Sequence, residues 1–518
     1  MLQIRNLNIV HKTDLREILT DFHLTLHEGD KAVIIGEEGN GKSTVLKWIK
    51  DRSLVEDYVE AHGLVDVGKH GLAYLPQELP REDREKTLYA FFSQEALFWD
   101  LTPREMGDLA HPFGVEVAFF YGDRKMGTLS GGENVKAQLM RILIAKPTVL
   151  LLDEPSNDLD IETLEWLEGF INTWKGIVLF VSHDETLIER TANMVVHLEL
   201  IEKKTKSRYT VARVPYQQYV QERRRRIEKQ ERMAISDLRE KRIRDEKFQR
   251  ISQSVEYAQD TVSRGDPSTG RLLKKKMHAV KSMERRFERE DADMTEMPEE
   301  EEAIFFLLGG EENRVPNAKT VLDFEADLLE TPPTNGEKRI LARDVRLTVR
   351  GSEKICIIGK NGCGKTTLLK RIAEELDGKP GIHAELMPQN YEELLKLEDT
   401  PIEYLVKHGG KDERTKISTY LGALKFTYDE MNRPVAKLSG GQKAKIFLLK
   451  MSMSDANVLL LDEPTRNFSP LSAPVIRAAL RSFPGAIISI SHDRTYIAEV
   501  CDRVYELREE GLFEKWLK

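Results

Sequence analysis

The chain has 518 residues, of which 40% are hydrophobic and 32% charged, and its formal net charge is −9. This length predicts two to four domains at roughly 100–200 residues each, and the composition excludes a fully disordered chain. No stretch approaches the roughly 20 apolar residues that cross a bilayer, and the first residues lack a secretory signal pattern. Its cysteines, Cys356, Cys363 and Cys501, have no metal-ligand spacing and suit a reducing compartment. We therefore expect a cytoplasmic protein without a membrane partner.

The first motif is a glycine-rich loop that follows an apolar run at residues 31–35. Residues 36–43 read Gly-Glu-Glu-Gly-Asn-Gly-Lys-Ser, the pattern of a phosphate-binding loop whose backbone N–H groups cradle phosphate oxygens at a helix N-terminus. Lys42 would neutralise the β- and γ-phosphates and the Ser43 hydroxyl would bind Mg²⁺. Glu37 and Glu38 would gain nothing from nearby phosphate, so we expect both side chains to point outward. The predicted nucleotide contacts of this loop are Gly36, Gly39, Asn40, Gly41, Lys42, Ser43 and Thr44.

A second group of motifs follows at residues 129–184. Leu129-Ser-Gly-Gly-Glu133 is followed by four apolar residues and an Asp153-Glu154 pair, which predicts two carboxylates at the carboxyl end of a buried strand. There Asp153 would hold Mg²⁺ through water, and Glu154 would orient the attacking water as a general base. The alternative interpretation is that the two acids lie at a solvated strand end and have no catalytic role. A Val-Ser-His-Asp segment then carries His183.

Between about residues 216 and 290 the sequence becomes strongly charged and helix-forming, with 21 Lys/Arg against 13 Asp/Glu. Helix breakers occur at residues 264–270, so we expect a helical hairpin whose second helix begins at Arg271. Basic charge concentrated near the tip favours a phosphate backbone, especially structured RNA, although a solvated coiled coil has the same composition. The predicted RNA-binding residues are Arg264, Arg271, Lys274, Lys275, Lys276 and Lys281.

The C-terminal part repeats the motifs of the N-terminal part. The signature serine precedes the aspartate by 23 residues in both copies, and the aspartate precedes the histidine by 30. An apolar run at residues 354–358 again leads into the loop, which predicts parallel strands and an α/β fold. The second set of predicted nucleotide contacts is Gly359, Asn361, Gly362, Cys363, Gly364, Lys365, Thr366, Thr367 and Asp462.

Cys363 lies within the second phosphate loop, beside a predicted helix N-terminus. Such a position lowers the pKa of a thiol. We therefore expect alkylation of Cys363 to block nucleotide binding at that site.

Leu-Ser-Gly-Gly, found in both copies, distinguishes ABC ATPases from other phosphate-loop enzymes, and at this point the chain resembles that family. The resemblance implies two P-loop ABC-type domains that use ATP and Mg²⁺ and meet head to tail. Ser130 and Gly132, with Gly131, would complete the site on Lys365; Ser439 and Gly441, with Gly440, would complete the site on Lys42.

The same resemblance assigns roles to the other repeated residues. Gln77 and Gln389 look like glutamines that sense Mg²⁺, so the predicted metal set is Ser43, Gln77, Asp153, Thr366, Gln389 and Asp462. His183 and His492 look like switch histidines, which makes the predicted catalytic set Glu154, Glu463, His183 and His492.

Two departures from the family pattern stand out. The interface loop Ser156–Asp160 of the first copy corresponds to Thr465-Arg-Asn-Phe-Ser-Pro470, which lacks the closing aspartate, so we expect unequal sites. Neither copy has an obvious aromatic platform for adenine; His11 is a weak candidate, and an ordinary surface histidine is the alternative.

Two ABC domains joined by a charged hairpin, without membrane segments, resemble the ABC-F family of translation proteins. We expect domains at residues 1–205 and 296–518, with a basic linker at 206–295. The resemblance implies a monomer with intramolecular domain pairing that binds the 70S ribosome, contacts rRNA and P-site tRNA, and pushes the hairpin toward the peptidyl-transferase region.

Three readings of the function stay open. Thr-Arg-Asn-Phe-Ser-Pro is similar to the interface loop of the members that protect ribosomes from antibiotics, while the short tip is compatible with a housekeeping translation factor. A tandem ATPase subunit of a sugar importer is the rival from another class. It has no need of a basic hairpin of about 75 residues, and it often has one degraded site. A coiled-coil DNA-repair ATPase is excluded by two complete domains.

Overall fold

The computed structural model of the chain describes residues 1–68, 71–202, 204–261, 267–292, 294–298, 308–310, 313–331, 339–407 and 409–515. The chain forms two compact units, one made of Met1–Tyr216 with Glu301–Lys518 and the other of Gln217–Glu300. Among the described residues, no helix is both long enough and apolar enough to cross a membrane.

The first motif-bearing half is built on two sheets. A six-stranded sheet has the order β5-β6-β7-β3-β8-β9, parallel except for β9, and a three-stranded antiparallel sheet has the order β2-β1-β4. The strands are β1 (Leu2–His11), β2 (Glu17–Leu26), β3 (Lys31–Ile35), β4 (Val59–Asp66), β5 (Leu72–Leu75), β6 (Val149–Asp153), β7 (Ile177–Val181), β8 (Met194–Ile201) and β9 (Lys206–Ala212). β9 extends this sheet beyond the boundary predicted at residue 205.

Helices cover this sheet and connect its strands. They are α1 (Lys42–Lys50), α2 (Arg81–Arg84), α3 (Leu88–Phe92), α4 (Pro103–Ala110), α5 (Gly131–Ile144), α6 (Ile161–Thr173) and α7 (Glu185–Thr191). Short 3₁₀ turns occur at Arg52–Leu54, Ala96–Asp100, His111–Phe113, Val117–Tyr121 and Met126–Thr128.

The second unit is a pair of helices, α8 (Tyr216–Thr261) and α9 (Pro267–Ala292). The Phe248 and Phe287 rings meet edge to face with centroids 5.6 Å apart, and the Arg244 guanidinium lies 4.5 Å from the centre of the Phe287 ring. Lys241 Nζ lies 2.9 Å from Asp291 Oδ2, and Arg244 also pairs with Asp291. The two helices of the predicted hairpin therefore pack against each other.

The second motif-bearing half repeats the first. Its six-stranded sheet has the order β13-β14-β15-β12-β16-β17, with the same single antiparallel edge strand, and β10 pairs with β11. The strands are β10 (Thr320–Glu330), β11 (Ile340–Arg350), β12 (Lys354–Ile358), β13 (Ala384–Met387), β14 (Val458–Asp462), β15 (Ala486–Ile490), β16 (Arg503–Arg508) and β17 (Gly511–Lys515).

The helices of the second half are α10 (Lys365–Leu376), α11 (Pro401–Leu405), α12 (Lys411–Ala423), α13 (Tyr428–Asn432), α14 (Gly440–Ser452), α15 (Ala473–Ser482) and α16 (Arg494–Val500), with 3₁₀ turns at Tyr391–Glu393 and Val435–Lys437. The predicted α/β fold, with two P-loop domains and a helical hairpin between them in sequence, is confirmed.

The central strands are buried on both faces, which explains why they read as uninterrupted apolar runs. All five residues of β3, β6, β7, β14 and β15 are buried. In each half the small antiparallel sheet and the helix after the glycine loop share one hydrophobic core with the main sheet. The carboxyl ends of the parallel strands are thereby fixed beside the glycine loop.

Candidate nucleotide sites

The structure brings the motifs of the two halves together around two cavities. The first, about 370 Å³, is lined by Lys42 and Ser43 of the first half and by Ser439, Arg466 and Asn467 of the second. The second, about 490 Å³, is lined by residues of the second glycine loop and by residues 156–159 and Gly131 of the first half. The two halves therefore lie head to tail, with each glycine loop facing the other half's signature segment.

In the first site the glycine loop connects β3 to α1. Gly36 has a φ of 146°, and a Cβ on this residue would lie 2.3 Å from the Leu198 carbonyl oxygen, so only glycine fits there. Lys42 Nζ donates to the carbonyl oxygens of Gly36 and Glu37 at 2.8 and 3.0 Å. Asn40 Nδ2 donates to the Leu198 carbonyl oxygen at 3.0 Å, which ties the loop to β8.

The predicted metal ligands of the first site also meet. The Ser43 hydroxyl donates to Asp153 Oδ1 at 2.7 Å, the Tyr74 hydroxyl donates to Oδ2 at 3.0 Å, and Gln77 lines the same cavity. Burial raises the pKa of Asp153 more than these two hydrogen bonds lower it. Hydroxyl, carboxylate and amide oxygens are the donors that Mg²⁺ prefers, so the donor set fits this ion.

The predicted catalytic pair of the first site is an ion pair. His183 Nε2 lies 3.0 Å from Glu154 Oε1, and Glu154 is 5% exposed. Burial by itself raises the pKa of Glu154, but the charge and hydrogen bonds of His183, together with the charge of Lys42, outweigh burial, and the net pKa lies below the ordinary value. Burial lowers the pKa of the His183 ring, but the charge and hydrogen bond of Glu154, together with the charge of Glu38, outweigh burial and raise the net pKa. Both groups are therefore held in their charged forms.

The second site has the same layout with different electrostatics. Lys365 Nζ donates to Gly359 O at 2.8 Å, and the Thr366 hydroxyl donates to Asp462 Oδ2 at 2.8 Å. His492 Nε2, however, lies 3.9 Å from Glu463 Oε1.

Burial, followed by the charge of Asp462, raises the pKa of Glu463 to about 8. Burial and the charge of Lys365 lower the pKa of His492 to about 4. The second pair is therefore neutral at pH 7 where the first is charged, so the two sites differ.

Glu154 and Glu463 share a strained backbone. Their φ angles are 49° and 54°, in the left-handed region that a residue with a Cβ rarely adopts. Such a conformation costs on the order of 1 kcal/mol and persists where the surrounding structure imposes it. In both copies the strand hydrogen-bonds through the glutamate N–H, to Val181 O and to Ile490 O, which imposes the turn.

The outward orientation expected for Glu37 and Glu38 is wrong. Glu37 is 8% exposed; it accepts a hydrogen bond from the Ser469 hydroxyl at 2.9 Å, and Lys445 Nζ lies 3.4 Å away. Burial would raise the pKa of Glu37, but Lys445 and the hydroxyls of Ser472 and Ser469 lower it to about 2. The missing partners belong to the other half of the chain, which a local reading of the loop does not include.

Glu38 makes a related contact. Its Oε2 accepts a hydrogen bond from the backbone N–H of Gly441, a signature glycine of the second half, at 2.6 Å. The equivalent residue of the second loop, Asn361, donates instead to the Asp158 carbonyl oxygen of the first half. The first site therefore has the carboxylate of Glu38 at this position, and the second site has the amide of Asn361.

Ser469 occupies the position of the closing aspartate, Asp160, in the repeat. Its hydroxyl donates to Glu37, so the altered interface loop of the second half meets the altered glycine loop of the first. His183 Nδ1 also lies 2.6 Å from the Phe468 carbonyl oxygen in that same loop. Two departures from the family pattern therefore compensate each other across one interface.

The expected low pKa of Cys363 is wrong. Burial raises the pKa of this thiol more than Lys365 and the backbone N–H groups lower it. The helix N-terminus is present at Lys365, but the side chain is half-buried beside it. The thiolate that we expected to make Cys363 reactive toward alkylation is therefore not favoured.

The two cavities also differ in the residues that line them outside the repeated motifs. In the first, His11 is joined by Tyr58, Arg16 and Ile18, which gives His11 an aromatic neighbour that the sequence did not point to. The second cavity is instead lined by Leu341, which is aliphatic, and by Thr331. Tyr58 was missed because it precedes β4, far along the chain from the phosphate motif.

The remaining predicted ligands fall into two groups. Gly39, Gly41 and Thr44 line the first cavity, and Gly362, Gly364, Thr367 and Gln389 line the second. Ser130, Gly132, Gly440 and Gly441 do not line either cavity, although Gly131 and Ser439 beside them do. The Ser130 hydroxyl caps α5 by accepting from the Glu133 N–H, and Ser439 caps α14 through Gln442 in the same way.

Arg466 is a site residue that motif reading missed. It lines both cavities, and its Nη1 lies 2.9 Å from Asp158 Oδ1 in the interface loop of the first half. Its counterpart in the repeat is Asn157, so a comparison of the two loops by position reveals an extra positive charge between the sites.

Five of the six predicted RNA-binding residues lie on α9. Arg271, Lys274, Lys275, Lys276 and Lys281 are all exposed, and no ion pair within 4 Å is found for them among the described residues. Arg264 lies outside the described residues. Exposure leaves the described cations available to an anionic partner, and their role stays a prediction.

Two glycine loops, two signature segments and two acid–histidine pairs in head-to-tail α/β domains define a tandem nucleotide-binding protein. The sequence family described as ABC transporter matches residues 19–157 and 342–466, which together make up just over half of the chain. The chain therefore belongs to the ABC family, and its two α/β domains are ATP-binding domains of the class that hydrolyses ATP.

Several similar proteins carry names of the F branch of that family. ABC transporter F family member 5 of Arabidopsis thaliana is 28% identical over 409 residues, covering 76% of this chain and 53% of the relative. The putative ATP-binding protein YdiF of Bacillus subtilis is 26% identical, with 96% and 78% covered. ATP-binding cassette sub-family F member 3 of Pongo abelii is 27% identical, with 97% and 71% covered. The chain spans about half the length of the Arabidopsis relatives it matches.

Solved structures share the tandem fold. The archaeal ribosome recycling factor aABCE1, solved with the ribosomal stalk protein aP1, has a TM-score of 0.55 at 17% identity, with 98% of this chain and 90% of that chain covered. An RNase-L inhibitor has a TM-score of 0.53 at 16% identity, with 98% and 89% covered. At these identities the likeness concerns the fold alone.

Proposed function

We propose that the chain is a ribosome-binding ATPase of the ABC-F type, whose domains close on ATP and whose hairpin acts on the ribosome. The observation that carries this proposal is a basic helical unit inserted between two complete ATPase domains. The names of the F-family relatives support it. A function as a sugar-importer subunit would not explain the exposed cations of α9.

The residues of each site divide the work of hydrolysis. Lys42 and Lys365 bind the β- and γ-phosphates, and the signature segment of the opposite domain closes the site. Ser43, Gln77 and Asp153 would hold Mg²⁺ in the first site, and Thr366, Gln389 and Asp462 would hold it in the second, where the ion would shield phosphate charge. Glu154 and Glu463 orient the attacking water, and His183 and His492 position them.

The hairpin supplies the contact with RNA. Arg271, Lys274, Lys275, Lys276 and Lys281 bind the phosphate backbone of rRNA and P-site tRNA near the peptidyl-transferase region. Hydrolysis of ATP then releases the monomeric protein from the 70S particle. Arg264, at the predicted tip, belongs to the same basic group.

The consequence for the cell is protection of the ribosome from antibiotics. The interface loop Thr465-Arg-Asn-Phe-Ser-Pro470, similar to that of protective members, supports this finer proposal over a housekeeping role. In a cell-free translation reaction, addition of the protein should restore synthesis in the presence of a large-subunit inhibitor. Stimulation that is equal with and without every inhibitor class tested would identify a housekeeping factor.

Co-sedimentation with ribosomes tests the main proposal. A Glu154→Gln, Glu463→Gln chain with Mg-ATP should pellet with 70S ribosomes, because it binds nucleotide and does not hydrolyse it. The same chain with Lys42→Ala and Lys365→Ala should stay in the supernatant. Absence of binding at low salt, with ATP shown to be bound, contradicts the proposal and favours the importer reading.

A charge-reversal variant tests the role of α9. Lys274→Glu, Lys275→Glu, Lys276→Glu should weaken ribosome binding by about tenfold or more and reduce its dependence on salt, since phosphate contacts release counterions. The matched control is Lys411→Glu, Arg414→Glu, Lys416→Glu, which changes the charge equally on the exposed face of α12. Equal losses in the two variants would show a general charge effect and remove the specific role of α9.

A further inference from the structure

Three positions of the repeat carry opposite charges in the two ATPase domains. Residues 309 apart occupy equivalent places, as Asp153 and Asp462 do. At these three places an acid in one domain stands where the other has a base. The equivalent pairs are Glu168 and Arg477, Glu185 and Arg494, and Arg190 and Glu499.

The four residues of the first two equivalent pairs form two ion pairs between the domains. The Arg477 guanidinium donates to both carboxylate oxygens of Glu185 at 3.0 Å each. Arg494 of the second domain pairs with Glu168 of the first. Glu168 and Arg477 are 5% and 3% exposed, so the interface buries these charges.

The third pair supports the other two from within each domain. Arg190 Nη1 donates to Glu168 Oε2 at 2.9 Å in the first domain, and Arg477 Nε donates to Glu499 Oε2 at 2.7 Å in the second. Each central residue therefore has one partner in its own domain and one in the opposite domain. The whole network is a charge-reversed image of itself.

The head-to-tail geometry makes this reversal selective. Glu168 and Arg477 occupy one position of the repeat, and Glu185 and Arg494 occupy another. In the observed pairing, the first position of each domain faces the second position of the other domain. Two first domains packed in this way would set Glu168 against Glu185, and two second domains would set Arg477 against Arg494. Burying unpaired like charges is strongly unfavourable.

We propose that this six-residue network makes the closed ATPase interface strictly heterotypic. The first domain accepts only the second domain of such a chain, and it rejects the first domain of another copy. A chain with two similar domains otherwise has three possible pairings, and the network leaves one. The inference rests on the ATP-dependent closure proposed above, and it does not depend on the ribosome.

Half and full charge reversal test the inference in the full chain. Glu168→Arg, Glu185→Arg places bases on both sides of the interface, and Arg477→Glu, Arg494→Glu places acids on both. In either half-reversed chain the closed fraction with Mg-ATP should fall by about tenfold or more. Reversal of all six residues should bring it back to within about threefold of the parent chain.

The measurement is the distance between one label on each ATPase domain, in the Glu154→Gln, Glu463→Gln background. Binding of a fluorescent ATP analogue is measured in parallel, so that lost nucleotide binding is distinguished from lost pairing. Arg503→Glu, Glu514→Arg, which reverses a partly exposed pair inside the second domain, is the control and should leave closure unchanged.

Mixing the two half-reversed chains adds a second readout. The first domain of each half-reversed chain is complementary in charge to the second domain of the other chain. Equimolar mixing should therefore produce a particle of twice the mass in ATP. If the half-reversed chains do not fold, the fully reversed chain must still fold and close. Closure of the half-reversed chains at the parent level, or failure of the fully reversed chain to exceed them, would overturn the inference.

Discussion

Glu38 places a negative charge beside the phosphate position of the first site, held by the N–H of Gly441. The equivalent residue of the second loop is the neutral Asn361. Glu38→Asn should therefore tighten ATP binding at the first site by about tenfold, because it removes a repulsion at short range. A fluorescent ATP analogue, titrated into a chain whose second site is disabled by Lys365→Ala, measures this affinity.

The reciprocal substitution is the matched control. Asn361→Glu should weaken binding at the second site by a similar factor, measured in a Lys42→Ala chain. If Glu38→Asn leaves the affinity unchanged or lowers it, the carboxylate contributes to the site through Gly441 and does not oppose the nucleotide.

The switch histidines should titrate differently in the nucleotide-free chain. His183 should stay protonated above the pH at which an ordinary histidine loses its proton. Burial lowers its pKa, but the charge and hydrogen bond of Glu154, with the charge of Glu38, raise it by more. His492 should stay neutral down to a pH of about 4, where burial and Lys365 place its pKa. NMR of isotope-labelled histidine side chains, assigned with single substitutions, measures both values.

Glu154→Gln provides the control for that titration. It removes the charge that raises the pKa of His183 while burial persists, so the pKa of His183 should fall and that of His492 should not move. Equal titration of the two rings in the parent chain would contradict the electrostatic difference between the sites.

At the scale of the helix pair, aromatic contact joins α8 to α9. Phe248→Ala should destabilise the pair by about 1–2 kcal/mol, through lost burial and the lost edge-to-face contact with Phe287. Hydrogen exchange of α9 amides in the full chain should speed up accordingly. Ile243→Ala, at a 45% exposed position on the same helix, is the control and should change exchange little.

The start of α9 shows how helix signals compete. The breakers at residues 264–270 predicted a second helix from Arg271, whereas the helix begins at Pro267. Proline is tolerated in the first turn because it has no N–H to leave unpaired and its φ is already helical. Proline in this segment therefore begins the helix instead of interrupting it.

At the scale of the whole ATPase unit, Arg466 connects the two sites. It lines both cavities and pairs with Asp158 across the interface. Arg466→Ala should lower ATP turnover at both sites, by about tenfold each if its charge acts on phosphate, measured in the Lys42→Ala and Lys365→Ala backgrounds. Arg16→Ala, which changes only the first cavity, should affect only the first site. A loss confined to one site in the Arg466 variant would remove its shared role.

Much of the molecule was predictable from the sequence because the signals are local. The apolar runs predicted β3, β6, β12 and β14, since strands buried on both faces need uninterrupted apolar residues. The glycine loops directly follow β3 and β12, and their glycine spacing is a local signal because backbone N–H groups must approach phosphate closely there. The exact repeat of spacings predicted two equivalent domains, and the charge and helix propensity of residues 216–290 predicted the helix pair.

The electrostatics of the two sites required the tertiary structure. From the sequence, Glu37 is predicted to face solvent. In the structure, Ser469, Ser472 and Lys445 of the other domain surround it. The pKa of Cys363 depends on burial, which outweighs the helix N-terminus that the sequence reveals. Glu154 and Glu463 have the same neighbours along the chain, but the glutamate–histidine distance is 3.0 Å in the first site and 3.9 Å in the second. In the second site burial and the charge of Asp462 then set the pKa of Glu463, and burial and the charge of Lys365 set that of His492.

The local arrangement within each domain thus followed from the amino-acid sequence. The motifs are short, and backbone geometry is set by neighbours a few residues apart. Which charges face each other across the interface, as Glu185 and Arg477 do, depends on two segments that are almost 300 residues apart in the chain. Electrostatic energy depends on distance and burial in space, and the tertiary structure alone decides both.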